Sequence, residues 1–284
     1  MDKKKIVISL LVMAITVCLT HGISHAKRLR IAVMEDMQGA TEKYQPLQKY
    51  LSTKGIKMEL VETPNYTAAA EIFLRGKADA MFSGSGIAGT MIIKNVAKPI
   101  ARPLFKNGNS TYWAVILALK GSDKYTNSAD YFNGKKVTFC AEASSGEFYF
   151  HSIGGHKTAS EMIEAASHED AIHALSKGNA DVAIVKNRVW SKLKDKYPNL
   201  EVIGVDNGEY PDGTLIKSII MSSELSKKVA SIMVALMEDN SRAAQKVKDT
   251  MNILGFIKTT EDDFSHTFEL LKKAGVNKNY NFKF

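Results

Sequence analysis

Ser144, Ser145 and Gly146 sit where a short β-prone run gives way to an aromatic-rich segment. In GKKVTFCAEASSGEFYF (residues 134–150), Lys136, Val137, Thr138 and Phe139 read as a strand, and the small and hydroxylated residues after it open a helix at Ser144 or Ser145. A helix start presents unpaired N–H groups and the positive end of the macrodipole, which together suit an anion. Serine hydroxyls add donors, and glycine lets a ligand approach the backbone closely. The plainer reading of the same residues is a serine N-cap that binds nothing, since serine is among the commonest caps.

Other candidate groups are chemically thinner. Gly84-Ser85-Gly86-Ile87-Ala88-Gly89 matches G-x-G-x-x-G and follows a strand. It does not open the first βαβ unit, however, and no acid lies about 20 residues downstream to hold a ribose. It reads instead as a tight turn at a helix start that lends Ser83, Ser85 and their amides to a cleft. Ser145 has no G-x-S-x-G setting and no assignable His–acid pair, so no catalytic residue is expected. His151 and His156 flank Gly154-Gly155 at a spacing that is not a helical metal motif, and no H-E-x-x-H or cysteine pair is present, so neither a metal nor a cofactor is expected. His168 either caps a helix or faces the cleft, and Cys140 reads as a small buried apolar residue.

The elements that must position these groups follow an α/β pattern. RLRIAVM (residues 28–34) is a buried-strand run followed by the polar loop EDMQGATEK; Leu47, Tyr50 and Leu51 then mark a helix with Pro46 near its start and Gly55 as its stop. Residues 57–61 alternate as a strand, 66–75 read as a helix closed by Gly76, and 80–82 as a strand. This is the β-α-β-α-β order of a mostly parallel sheet. The sequence then repeats itself. Gly76-Lys77-Ala78-Asp79 and Gly178-Asn179-Ala180-Asp181 lie 102 residues apart, each after a helix with matching Ala69 or Ala171 and Phe73 or Leu175, and each before a strand. Each copy alone is an αβ turn with glycine in the left-handed cap; two copies at domain spacing point to two lobes of similar topology.

Between the copies, YWAVILAL (residues 112–119) is an apolar strand placed to cross between lobes, and residues 120–133 form a polar loop with a short helix. Residues 201–205 give a further strand, and 207–213 a turn-rich break. Helices are expected on the stripe Leu225, Val229, Ile232, Met233, Leu236, then over residues 241–254, then from the capping-box-like Thr260-Glu261-Asp262-Asp263 to Gly275. Packed back onto the first lobe, they make the chain cross twice and leave a cleft. Ligands of open parallel sheets sit at the carboxyl ends of strands, here residues 35–39, 83–86 and 143–146.

Composition narrows the class. MDKKK, an uncharged apolar run over residues 6–19 and Ser24-His25-Ala26 form an expected secretory signal peptide of residues 1–26. Val17 is bulkier than the small residue a lipoprotein box favours before a cysteine such as Cys18. Without those residues the chain carries 35 basic and 29 acidic side chains, a net +6, and Cys140 is left without an intramolecular disulfide partner. The charge favours anionic partners but forms no basic run with interleaved aromatics, so no nucleic-acid partner is expected.

With these residues in place, the chain resembles the periplasmic substrate-binding proteins of phosphate/phosphite/phosphonate-type ABC transporters, the PhnD-like family. KYQPLQKYLSTKGIKMELVETPNYTAAAEIFLRGKADAMFSG is similar to that family's Y-x-P-L-x-x-Y-L, N-Y-x-A-A and G-x-A-D blocks. FNGKKVTFCAEASSG resembles its L-x-G-K-x-V-x-F followed by S-T-S-G, and SHEDAIHALSKGNADVAIV its S-H-x-x-A-x-x-A-L-x-x-G-x-A-D. The resemblance covers nearly all of the chain after residue 26. It implies a type II two-lobe periplasmic binding fold with two crossover strands and a ligand cleft between lobes: residues 27–114 as the first part of lobe one, 115–205 as lobe two, and 206–284 as lobe one's return. It implies no enzyme but an exported, monomeric carrier of a small oxyanion-bearing ligand that docks on an inner-membrane permease. The alternative is a periplasmic sensing module for a membrane receptor.

By the same resemblance, Ser144 and Ser145 take the last hydroxylated positions of S-T-S-G while Ala143 replaces the first, which removes one donor. Tyr66 and Tyr112 match cleft-lining aromatics, His168 the S-H histidine, and Asp212 an acid in the return crossover near the ligand's variable end. Lys186-Asn187-Arg188 is more basic than the family's small or acidic stretch there, which disfavours a cationic amino group on the ligand and favours a second acidic one.

Overall fold

The computed structural model describes residues 27–34, 40–64, 66–140 and 144–281. The expected signal peptide, the loop at residues 35–39 and Ala143 lie outside them, as does the side chain of Tyr66. Among the described residues no helix is long and apolar enough to cross a membrane.

The first half of the chain runs β1 (Lys27–Met34), α1 (Gln45–Thr53), β2 (Ile56–Thr63), α2 (Tyr66–Leu74), β3 (Ala80–Ser83), α3 (Ser85–Ile93) and β4 (Ala97–Phe105), then β5 (Thr111–Tyr112) and β6 (Ala114–Leu119). The second runs β7 (Lys136–Cys140), α4 (Ser145–Ser152), β8 (Glu161–Ala165), α5 (His168–Ser176), β9 (Val182–Lys186), α6 (Asn187–Leu193) and β10 (Leu200–Val205). There follow β11 (Tyr210–Pro211), β12 (Thr214–Ser218), α7 (Ser223–Ala235), α8 (Arg242–Met251), β13 (Ile253–Lys258) and α9 (Ser265–Lys273).

These elements make two sheets, a six-stranded one in the order β13-β4-β12-β3-β1-β2 and a five-stranded one in the order β10-β6-β9-β7-β8. β1 pairs in parallel with β2 and β3, and β7 in parallel with β8 and β9, so the two lobes share a βαβαβ kernel. The chain passes between lobes twice, and the two passages pair with each other: β5 and β11 run antiparallel with Tyr112 opposite Tyr210. The long apolar strand expected at residues 112–119 is therefore two strands with a break at Trp113. Asn187 enforces that break by accepting the Trp113 N–H on its Oδ1 (3.2 Å) and donating its own N–H to the Trp113 carbonyl (3.0 Å).

Three further strands depart from the sequence reading. β4 contains Pro99 and Pro103, residues that argue against an interior strand, yet it lies between β12 and β13. The ladder shifts register beside Pro99, which accommodates a residue with no N–H to give. The helix expected over residues 241–254 ends at Met251 because Asn252 turns left-handed (φ 54°), and the chain continues as β13. β12 follows the turn-rich break directly, so the return segment is a mixture of strands and helices. α7 and α8 pack on the outer face of the first sheet through Val229, Met233, Leu236, Ala244 and Val247. α9 instead rests on both α3 and α4, one from each lobe. Gly89 makes the first contact possible, since a Cβ there would run into Leu271 and Thr267.

Candidate functional site

Two helices begin at the gap between the lobes. α3 starts after Gly84, whose extended backbone (ψ 163°) caps it without a side chain, and α4 starts after Ser144. The first crossover brings Tyr112 between them. Its hydroxyl lies 2.6 Å from Ser85 Oγ of α3, and Ser145 of α4 is near enough to favour the phenolate. Burial outweighs both neighbours and pushes the Tyr112 phenol up to about 12, so it stays protonated. Two helix N-termini and three hydroxyls thus converge at one buried point, where partial positive charge is concentrated.

The serines divide their roles. Ser144 Oγ accepts the Glu147 N–H (3.2 Å) and donates to the Cys140 carbonyl, so its side chain is engaged as an N-cap. Ser145 Oγ is buried near the Tyr112 hydroxyl without forming a hydrogen bond of normal geometry to it, and Ser83 Oγ at the end of β3 is likewise buried without a partner. Gly146 is also required for packing, since a Cβ there would collide with the Ile184 carbonyl of β9. The main-chain N–H groups at the start of α4 point along the helix axis as expected of any such terminus.

A second cluster adjoins the first. Lys186, at the end of β9, holds its Nζ 3.9 Å from the centre of the Tyr112 ring and 2.5 Å from Asp212 Oδ1. Arg188 Nη1 is 2.7 Å from Asp212 Oδ2. Asp212 is 2% exposed, so two cations from lobe two pin a buried carboxylate of the return crossover. Burial lowers the Lys186 pKa and Asp212 opposes that shift. His168, the first residue of α5, has a buried Nδ1 without a partner; burial first and Lys186 second push its ring down to about 3, leaving it neutral at neutral pH. Ser167, not His168, caps the helix, accepting the Asp170 N–H at 3.1 Å.

A cavity of about 300 Å³ opens beside these groups. Ser83 and Gly84 line one side, Lys186, Arg188 and Asp212 the other, and Tyr44, Phe82, Phe105 and Phe256 form an aromatic wall. Tyr44 stacks on Phe82 (5.0 Å between ring centres), and the Arg188 guanidinium lies 4.2 Å from the Phe105 ring centre. Ser83, Lys186 and Asp212 line the cavity, and Ser85, Tyr112 and Ser145 meet beside it through the Lys186–Tyr112 contact. Asn187 engages the crossover through its Oδ1 and main-chain N–H. Sequence reasoning missed the aromatic wall and Lys43. Phe105 closes the strand whose prolines hid it, while Phe82 sits one residue before the serine that was singled out. Among the described residues no cluster of metal-ligating side chains occurs.

Two α/β lobes with a polar, positively charged cleft form the two-lobe fold of periplasmic binding proteins. The family model described as "ABC transporter, phosphonate, periplasmic substrate-binding protein" matches residues 31–264, and the chain belongs to that family, a component of transporters rather than an enzyme. A search of curated proteins returns no match. PhnD1 from Prochlorococcus marinus in complex with methylphosphonate has a similar structure, with a TM-score of 0.70 and 18% identity over 88% of this chain and 99% of that one. A binding protein component of an ABC phosphonate transporter from Pseudomonas aeruginosa gives 0.68 and 17% over 90% of each chain. XAC2383 from Xanthomonas citri bound to ATP gives 0.73 and 13% over 88% and 97%. At these identities the likeness is one of fold.

Proposed function

We propose that this protein captures a small solute bearing a phosphorus oxyanion in the periplasm and delivers it to an ABC permease in the inner membrane. Residues 1–26 direct its export, and residues 115–205 act as the moving lobe. The oxyanion would sit where α3 and α4 begin, taking main-chain N–H groups and the hydroxyls of Ser145, Ser83 and Tyr112, with the aromatic wall excluding water as the lobes close. The observation that carries this reading is the buried Ser145 hydroxyl, without a hydrogen bond of normal geometry, beside two converging helix starts. The named ligands of two structural neighbours, methylphosphonate and ATP, share a tetrahedral phosphorus oxyanion and differ in everything else.

Isothermal titration calorimetry against phosphite, phosphate, methylphosphonate and longer phosphonates tests it. Ser145→Ala should weaken the best ligand about 10- to 100-fold, the worth of one hydrogen bond to a charged group, with no change in melting temperature. Unchanged affinity removes Ser145 from the site.

A further inference from the structure

We infer that the ligand carries a second anionic group, on a short apolar spacer, and that Lys186 and Arg188 receive it; the class is a phosphonate bearing a carboxylate. The inference rests on the oxyanion reading and extends it along the cavity. Four observations support it.

The charged residues of the described cavity wall are Lys43, Lys186, Arg188 and Asp212, three cations to one carboxylate. The carboxylate is already ion-paired on both oxygens, at 2.5 and 2.7 Å, with only Oδ1 hydrogen-bonded, to Lys186. An ammonium group entering here would find Asp212 occupied and two or three like charges beside it, which is strongly unfavourable in a desolvated site. The cations, by contrast, have capacity left. Arg188 meets Asp212 through Nη1 alone, and its Nε–H is buried with no acceptor, which leaves one arm of a planar fork that matches a carboxylate. Finally, the space exceeds a lone tetrahedral anion. About 300 Å³ corresponds to roughly ten waters at about 30 Å³ each, and its aromatic wall suits an apolar spacer between two charged ends.

Binding of three ligands to the purified protein separates the possibilities: 3-phosphonopropionate with two anionic ends, methylphosphonate with one, and 2-aminoethylphosphonate with an anion and a cation. The expected order places 3-phosphonopropionate tightest, at least about 100-fold above 2-aminoethylphosphonate, because one favourable charge contact is gained where a repulsive one is removed. In Lys186→Gln that ratio should shrink about tenfold or more, and in Arg188→Gln likewise, with melting curves confirming that each variant is folded. If methylphosphonate binds but 2-aminoethylphosphonate equals or surpasses 3-phosphonopropionate, the second anionic end is wrong and the oxyanion reading stands. If none of the three, nor phosphate or phosphite, binds, both fall.

Discussion

Neighbouring serines can do unrelated work, and Ser144 and Ser145 show how. The hydroxyl of Ser144 both gives and accepts a hydrogen bond within the loop–helix junction, so Ser144→Ala should cost about 0.5–2 kcal/mol of stability in urea denaturation, with the larger effect on binding reserved for Ser145→Ala. Equal effects of the two substitutions on affinity would contradict this division. His168 offers a second residue-scale prediction. Its ring is neutral when folded down to about pH 3, whereas in the unfolded chain it takes a proton near its ordinary value of about 6.5. Between those values the unfolded state binds more protons. The stability is therefore complete above about pH 6.5 and drains as pH falls, by at most about 1.4 kcal/mol per pH unit. His151, pushed down to about 4 by burial and by His156, adds to the same slope. Denaturation midpoints at a series of pH values should show His168→Gln with a shallower acid limb than the parent; an identical limb would mean that this ring is protonated in the native state.

At the scale of elements, the two G-x-A-D copies fold identically. Gly76 and Gly178 take φ of +67° and +76°, and the two N–H groups after each helix close on equivalent carbonyls. Asp79 accepts the Arg30 N–H from β1 at 2.8 Å, and Asp181 the Lys136 N–H from β7 at 2.8 Å. Each aspartate ties its turn to the first strand of its own lobe. Asp79 is also bridged to the Arg30 guanidinium at 2.7 Å and is the more sheltered of the two. Asp79→Ala should therefore cost about 2 kcal/mol and the exposed Asp181→Ala about 1 kcal/mol, measured by chemical denaturation. The reverse ranking would show that the Arg30 bridge contributes nothing. These turns were legible because glycine and aspartate at fixed offsets have a local cause. The start of α4 was legible for the same reason. β4, β12 and β13 were not, because what makes them strands is their partners. Two prolines, a five-residue run and a glycine-containing segment acquire strand geometry only from neighbours far away in sequence. The aromatic wall of the cavity depends on two of these three strands, and the ion pairs on Asp212 join residues that no spacing rule connects.

Seen whole, the molecule has few ties between its lobes. The paired crossovers β5 and β11 are one and α9 is another, with Leu270 and Leu271 buried against the helices α3 and α4, and the Arg188–Phe105 contact at the cavity adds to them. A polar knot joins the ties: Asp206 accepts from the Tyr210 hydroxyl and lies 2.8 Å from His266 Nε2 of α9. Any opening of the cleft has to pivot about this region. Both tryptophans, Trp113 and Trp190, lie on the lobe-two side of the crossover, whereas the far-ultraviolet circular dichroism signal reports both lobes. In the parent protein the two signals should unfold together. Leu271→Ala, which removes about 2–5 kcal/mol of packing at the joint, should separate them into distinct transitions. Coincident transitions in the variant would show that the lobes stay coupled without the α9 joint.

The strand order carries one more implication. β12 stands between β3 and β4, and β13 flanks β4 on its far side, so the six-stranded sheet cannot close until its last members have emerged. The five-stranded sheet needs nothing beyond β10. In a chain made from its amino end, the part synthesised first is the part completed last. On the export route proposed above, such a polypeptide would meet a secretion channel with its leading section still unable to fold, which is the state a channel for threaded chains requires.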